Sequence, residues 1–155
     1  FSPINIWPIY VYGFIGTMVF LAVYPLIFRP DKIHEVLFHA SSLALTRSFF
    51  VILTHLKVPA DAIAIVFPWP ASTIAFQNDL FFSGHTVMPL IGFFVFKDSP
   101  IRYVFLALSL ILAFTVLAMH EHYSIDVFAG FYIAYGTYQI GEWIEQKIKW
   151  TNLSF

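Results

Sequence analysis

Residues 81–96 read FFSGHTVMPLIGFFVF. Only His85 in this stretch can carry a charge; the rest are apolar, small or hydroxylic. The apolar residues come as a block and not as a stripe with a polar opposite face, so the stretch reads as a helix in lipid. A histidine at the mouth of such a run is costly unless it does something there. Four similar blocks lie outward from this one. Together they predict five spans: Ile9–Phe28, Ile33–Leu56, Leu80–Phe96, Ile101–Met119 and Ser124–Trp143. RPDK at 29–32 breaks the first from the second, because proline cannot continue a helix. KDSP at 97–100 separates the third from the fourth, with Pro100 suited to a first helical turn.

Composition agrees. The 155 residues are 59% hydrophobic and 11% charged, under half the charge of an ordinary soluble domain, which runs at about 25%. The fold class expected is all-α: a polytopic membrane helix bundle with five visible spans, forming one domain over residues 1–155. The chain opens on Phe1 and not on methionine, and the expectation is that a sixth, upstream span or targeting segment has been trimmed. A net charge of −1 argues against bulk affinity for nucleic acid. With no cysteine, disulfides and thiolate chemistry are excluded. The connection 57–79, rich in proline yet apolar, is expected to lie in the membrane interface.

In this arrangement Arg29, Lys32, Lys97, Arg102, Lys147 and Lys149 share one membrane face, and the opposite face has only Lys57. The basic face is therefore cytoplasmic, and His85 opens toward the extracytoplasmic or lumenal side. So does a second unusual mouth, HEHYSID at 120–126. There His122 and Asp126 are four apart, which on a helix places them on one face. A carboxylate holding one imidazole nitrogen leaves the other as a basic lone pair, suited to a nucleophile or general base. The plainer reading is a polar helix start in the headgroup zone, but Asp126 already lies inside the apolar run.

In SGHT, Ser83 can cap the helix, Gly84 permits close approach of a ligand, and free N–H groups at the helix start favour an anion. His85 can hand a proton to an oxygen leaving that anion. Taken together, two histidines, an orienting aspartate and a helix N-terminus suit phosphoryl transfer through a phosphohistidine. The site needs positive charge, and Arg47 is the one arginine inside a span; its planar fork matches phosphate. It lies about 14 Å below the outer end of its predicted helix. Hence either the site is a recessed chamber or Arg47 pairs with a carboxylate such as Asp126. Asp79 either tunes His85 or favours the positive end of the third helix. His120 and Glu121 are exposed by position, His34 and His39 read as structural or solvated, and His55 has no evident partner. The glycines at 13, 16, 92, 130, 136 and 141 are expected to permit close helix packing.

The stretches NDLFFSGHT and HYSIDVFAGFYIAY resemble the sphingomyelin synthase family, within the type 2 phosphatidic acid phosphatase superfamily. LTRSFFVILTHLKVP is similar to that family's arginine-bearing helix, so the resemblance spans roughly residues 36–143. It implies His122 as the nucleophile on a lipid phosphate, Asp126 as its orienter, and His85 as acid and then base. Arg47, Asp79, Ser83 and Gly84 would bind substrate, and neither metal nor cofactor is implied. The phosphatase branch's Lys-x6-Arg-Pro motif is absent: Ala22 stands where its lysine would precede Arg29-Pro30. Its Ser-Arg pair is replaced by Thr115 and Val116, which favours the synthase-like branch.

Three readings stay open at this level. The first is a phosphotransferase moving a phospholipid head group to a lipid alcohol such as ceramide or diacylglycerol. The second is a phosphatase or phospholipase C-type hydrolase using water with the same residues. The third is a non-catalytic protein binding a transition metal through His120, His122 and Asp126. Expected partners are phospholipid and lipid-alcohol substrates and the membrane, with no nucleic acid; assembly into a homo-oligomer is left open.

Overall fold

The computed structural model describes residues 2–54, 57, 59–63, 65 and 81–152, with side chains up to residue 148. Asp79 and His55, both weighed above, lie outside the described residues, as does most of the 57–79 connection. The described chain is all-helical. A π-helical turn, Ile9–Gly13, runs directly into α1 (Phe14–Phe28). A short 3-10 turn, Pro30–Lys32, leads into α2 (Ile33–Leu53), followed by α3 (Gly84–Val95), α4 (Ile101–Ala118) and α5 (Ser124–Asn152).

Among the described residues, three segments are long and apolar enough to cross a membrane: Ile9–Phe28, Pro30–Leu53 and Ile101–Ala118. The chain is thus a polytopic membrane helix bundle. The third predicted span is shorter than its apolar block. Phe81 to Ser83 bend ahead of the helix, and α3 has 12 residues, about 18 Å at the standard rise against a hydrocarbon core of about 30 Å. Its N-terminus therefore starts well inside the bundle. α5 is longer than the predicted span, continuing past Trp143 to Asn152.

Packing places opposite chain ends at opposite ends of the bundle. At one end Lys97 lies 3.4 Å from Glu142, which also sits 3.4 Å from His39, so the α3 exit, the α2 entry and the distal half of α5 meet. At the other end the Ser83 N–H donates to the Asp126 carbonyl at 3.4 Å, joining the mouths of α3 and α5. The Ile4 N–H donates to Ala118 O at 2.8 Å and the Ile63 N–H to Met119 O at 3.3 Å, tying two connecting segments to the end of α4.

Lipid supplies no hydrophobic drive between helices, so close contact and internal hydrogen bonds must hold them. α3 and α4 are the closest pair. A Cβ on Gly92 would stand 2.4 Å from the Phe105 ring, and Ser109 Oγ donates to Thr86 O at 2.7 Å. Gly141 similarly admits the fully buried His39 ring, 2.7 Å from where its Cβ would be, and Gly130 faces Val87 at 2.8 Å. Gly13 makes only ordinary contacts, and Gly16 and Gly136 face open space; the packing role expected of these last two is not what the fold uses. A main core of Leu21, Leu43, Phe82, Leu90, Phe96 and Phe105 fills the bundle centre. A second cluster, Val11, Val116, Met119 and Val127, lies near the α3–α5 mouths.

Candidate active site

The loop after α4 is shaped by a helix stop. The Glu121 N–H donates to Val116 O at 3.0 Å and the His120 N–H to Leu117 O at 3.2 Å. This pair of bonds is a Schellman motif, which needs a left-handed residue at the position His120 occupies. His120 adopts φ 57° there, where glycine is usual. Its ring turns to Asp61, with Nδ1 2.6 Å from Oδ2, and that contact holds the exposed Asp61 carboxyl below its ordinary range. His120 is thus a helix stop linked to the 59–63 segment.

The stop delivers His122 into the bundle, 7% exposed, two residues before α5 begins at Ser124. His122 therefore does not share a helical face with Asp126 as expected; the turn brings the two together instead. His122 Nδ1 lies 3.6 Å from Asp126 Oδ2, close but too long for a hydrogen bond. The reason is local. Asp126 Oδ2 accepts the Tyr123 N–H at 3.0 Å, the returning half of a capping box. The carboxylate, fully buried, serves the helix start and His122 at once.

Ser83 occupies the N-cap of α3, but its side chain makes no capping bond. Its hydroxyl is buried without a partner, contrary to the capping role expected. Gly84 brings the backbone under Arg47: a Cβ there would lie 3.4 Å from the guanidinium Cζ and Nε. Arg47 Nε donates to Phe82 O at 3.3 Å. Because α3 starts deep, Arg47 on α2 is level with its mouth although six residues from the α2 end at Leu53, about 9 Å.

His85, 8% exposed, points back toward the first helix. Its ring stacks on Tyr10 with centroids 4.0 Å apart and meets Phe14 at 4.1 Å. It lies within electrostatic range of His122 and Arg47. Tyr10, Phe14, Asp61 and Thr86 were not singled out in the sequence. For the first pair the available signal was two aromatics four apart near the first span's start, one such pair among many in a chain that is 20% aromatic.

Among the described residues, five side-chain atoms at the two mouths are buried without a hydrogen-bond partner: Ser83 Oγ, His85 Nε2, Thr86 Oγ1, His122 Nδ1 and Asp126 Oδ1. Leaving such atoms unsatisfied costs about 1–3 kcal/mol each, so their concentration in one place fits a pocket built for a polar guest. Glu121 stands half-buried at the rim, and burial pushes its carboxyl up to about 7. Among the described residues no three His, Asp or Glu side chains are grouped to hold a metal, and His120 is directed to Asp61.

The two mouths lie within one stretch that known proteins share. Residues 78–143 match the PAP2 superfamily C-terminal family. The matched segment contains every site residue above except Arg47, Tyr10, Phe14 and Asp61. A human protein named Sphingomyelin synthase-related protein 1 is 49% identical over 62 residues, 36% of this chain and 15% of that protein. Sphingomyelin synthase-related 1 of Caenorhabditis elegans is 44% identical over 63 residues, 37% of this chain and 13% of its own length. The chain thus spans only about one seventh of these relatives. No solved structure matches at comparable stringency.

Proposed function

We propose that this chain is a membrane lipid phosphotransferase that moves a phospholipid head group through a phosphohistidine to a lipid alcohol. The observation that carries the reading is the cluster of partnerless buried polar atoms at the joined mouths of α3 and α5, beside the Arg47 guanidinium. The PAP2 match over 78–143 and the relatives' names support membrane lipid phosphate chemistry. On this reading the pocket opens to the extracytoplasmic or lumenal side.

His122 acts from Nε2, because Nδ1 faces Asp126. The Nε2 lone pair attacks phosphorus, forming a P–N bond while the bond from phosphorus to the glycerol oxygen breaks. Protonated His85 gives its proton to that oxygen, so diacylglycerol leaves as an alcohol. His85, now neutral, takes the proton from the acceptor hydroxyl. The acceptor oxygen attacks phosphorus, the P–N bond breaks, and both histidines return to their starting states. Asp126 stabilises the His122 imidazole as it gains positive charge. Arg47, the Ser83 and Thr86 hydroxyls and the α3 N–H groups receive the phosphate oxygens.

With water as acceptor the same residues give a hydrolase. Purified protein incubated with head-group-labelled phosphatidylcholine and phosphatidylethanolamine, with and without ceramide, separates the two. Label appearing in a ceramide product supports transfer, and release of free phosphoryl head group alone rejects it. Activity that persists in chelator and vanishes in His122→Ala rejects the metal-binding reading.

A further inference from the structure

We propose that Asp61 is a positioning residue: through His120 it fixes the turn that carries His122 into the pocket. This rests on the role given to His122 above. Two fastenings hold the 59–63 segment against the end of α4. The Ile63 N–H donates to Met119 O at 3.3 Å, and His120 Nδ1 stands 2.6 Å from Asp61 Oδ2. A carboxylate accepts, so Nδ1 is the donor. The segment is itself a closed turn, with the Ala62 N–H on Pro59 O at 3.1 Å. Ile63 and Ile65 pack on the cluster that holds Val116, Met119 and Val127. Asp61 is therefore presented from a folded base tied to the same helix end that it grips.

The residue chosen for the helix stop is the informative one. A left-handed position, φ 57° at His120, costs any residue with a Cβ more than it costs glycine, and glycine would end α4 equally well. Exposed ion pairs add little stability, and the Asp61 side chain is 60% exposed. Stability therefore does not account for a histidine at 120, whereas placement does. Glycine would leave the backbone of this turn free and would offer nothing to reach the 59–63 segment. With His120 in place, His122 sits between two fixed points. Upstream, His120 is held by Asp61. Downstream, the Tyr123 N–H is tied to Asp126 Oδ2 at 3.0 Å. The His122 ring is buried, with Nδ1 3.6 Å from that same oxygen. A small swing of the turn would change both this distance and the aim of Nε2, and a misplacement of about 1 Å is enough to cost roughly 100-fold in rate.

The test uses the full chain in nanodiscs, with labelled phosphatidylcholine and phosphatidylethanolamine as substrates and 15N-labelled histidine as reporter. The His122 ring signals are assigned by their loss in His122→Gln. Asp61→Ala removes the acceptor. His120→Asn tolerates the left-handed backbone but loses the ring, and His120→Asp sets a second carboxylate against Asp61. In each, kcat should fall about tenfold with KM unchanged, and the His122 signals should shift. Asp61→His combined with His120→Asp restores an imidazole–carboxylate pair with the partners exchanged, and aspartate also tolerates the left-handed position. This double variant should recover most of the wild-type kcat and the wild-type His122 signals, a coupling that two independent losses do not give. Single variants that keep the wild-type kcat and His122 signals would overturn the proposal. So would a double variant no better than the singles, or a change in KM alone. Should the signals behave as expected in a protein that turns over no substrate, the positioning stands and the phosphotransferase reading fails.

Discussion

Asp126 is asked to do two things with one carboxylate, and a substitution can separate them. Asp126→Asn keeps an oxygen for the Tyr123 N–H but loses the charge beside His122, so activity should fall roughly 100-fold or more with little change in thermal midpoint. Asp126→Ala loses the cap as well and should also cost about 1 kcal/mol of stability; kinetics paired with thermal unfolding checks both. Glu121 gives a pH prediction. Its carboxyl is raised from 4.5 to about 7 by burial, so the folded state holds a proton that the unfolded state has released. Stability from this group is complete below pH 4.5 and is lost as pH rises toward 7. Thermal midpoints of Glu121→Gln across that window should decline less than wild type; equal slopes would refute the assignment. The sequence singled out His85, His122 and Asp126 because ionisable groups in apolar runs are rare. It did not single out Tyr10 and Phe14, whose rings meet His85, because two aromatics four apart look like any other pair in a chain that is 20% aromatic.

Between helices, the α3–α4 contact depends on one missing side chain. Gly92→Ala places a methyl 2.4 Å from the Phe105 ring, and such overpacking costs about 1–3 kcal/mol. Phe105→Leu in the same chain should recover part of that loss. A double-mutant unfolding series would show coupling between the two; independent effects would mean the helices do not meet there. The turn before α5 depends on His120 holding φ 57°. His120→Asn, whose residue tolerates that conformation, should be accepted, whereas His120→Val should lose at least about 1–2 kcal/mol. Element order and type followed from the apolar blocks and from Pro30 and Pro100. The late start of α3 at Gly84 did not, since Leu80 to Ser83 are as apolar as the helix they precede. The Schellman stop was not legible because His120, which occupies it, is tied to Asp61 far along the chain, a contact residue pattern does not encode.

For the whole bundle, the deciding asymmetry is basic residues at one end and the polar mouths at the other. Arg29, Lys32, Lys97 and Arg102 lie at helix junctions on one side, where Lys97 also reaches Glu142. By the positive-inside rule that side is expected to face the cytoplasm. The chain has no cysteine, so single cysteines can report topology directly. Asn5→Cys and Asp98→Cys, both at exposed positions, should react with a membrane-impermeant maleimide from opposite sides, Asn5→Cys from the extracytoplasmic or lumenal one. Labelling of both from the same side would contradict the arrangement. The orientation expected here rests on charge placement, which reflects insertion and not tertiary packing. The level of Arg47 with the α3 mouth was readable only as one of two options, because helix depth alone does not tell where a neighbouring helix begins.

A covalent intermediate on His122 is the central claim, and acid-quench mass spectrometry is not suited to it, because phosphoramidates hydrolyse in acid. The direct measurement is mass spectrometry of protein quenched in base after brief mixing with phosphatidylcholine or phosphatidylethanolamine in nanodiscs, without ceramide. A phosphoryl head group on His122, absent in His122→Ala and discharged on adding ceramide, is the predicted result. Turnover with no adduct on His122 at any mixing time, or with an adduct on another residue, would contradict the account.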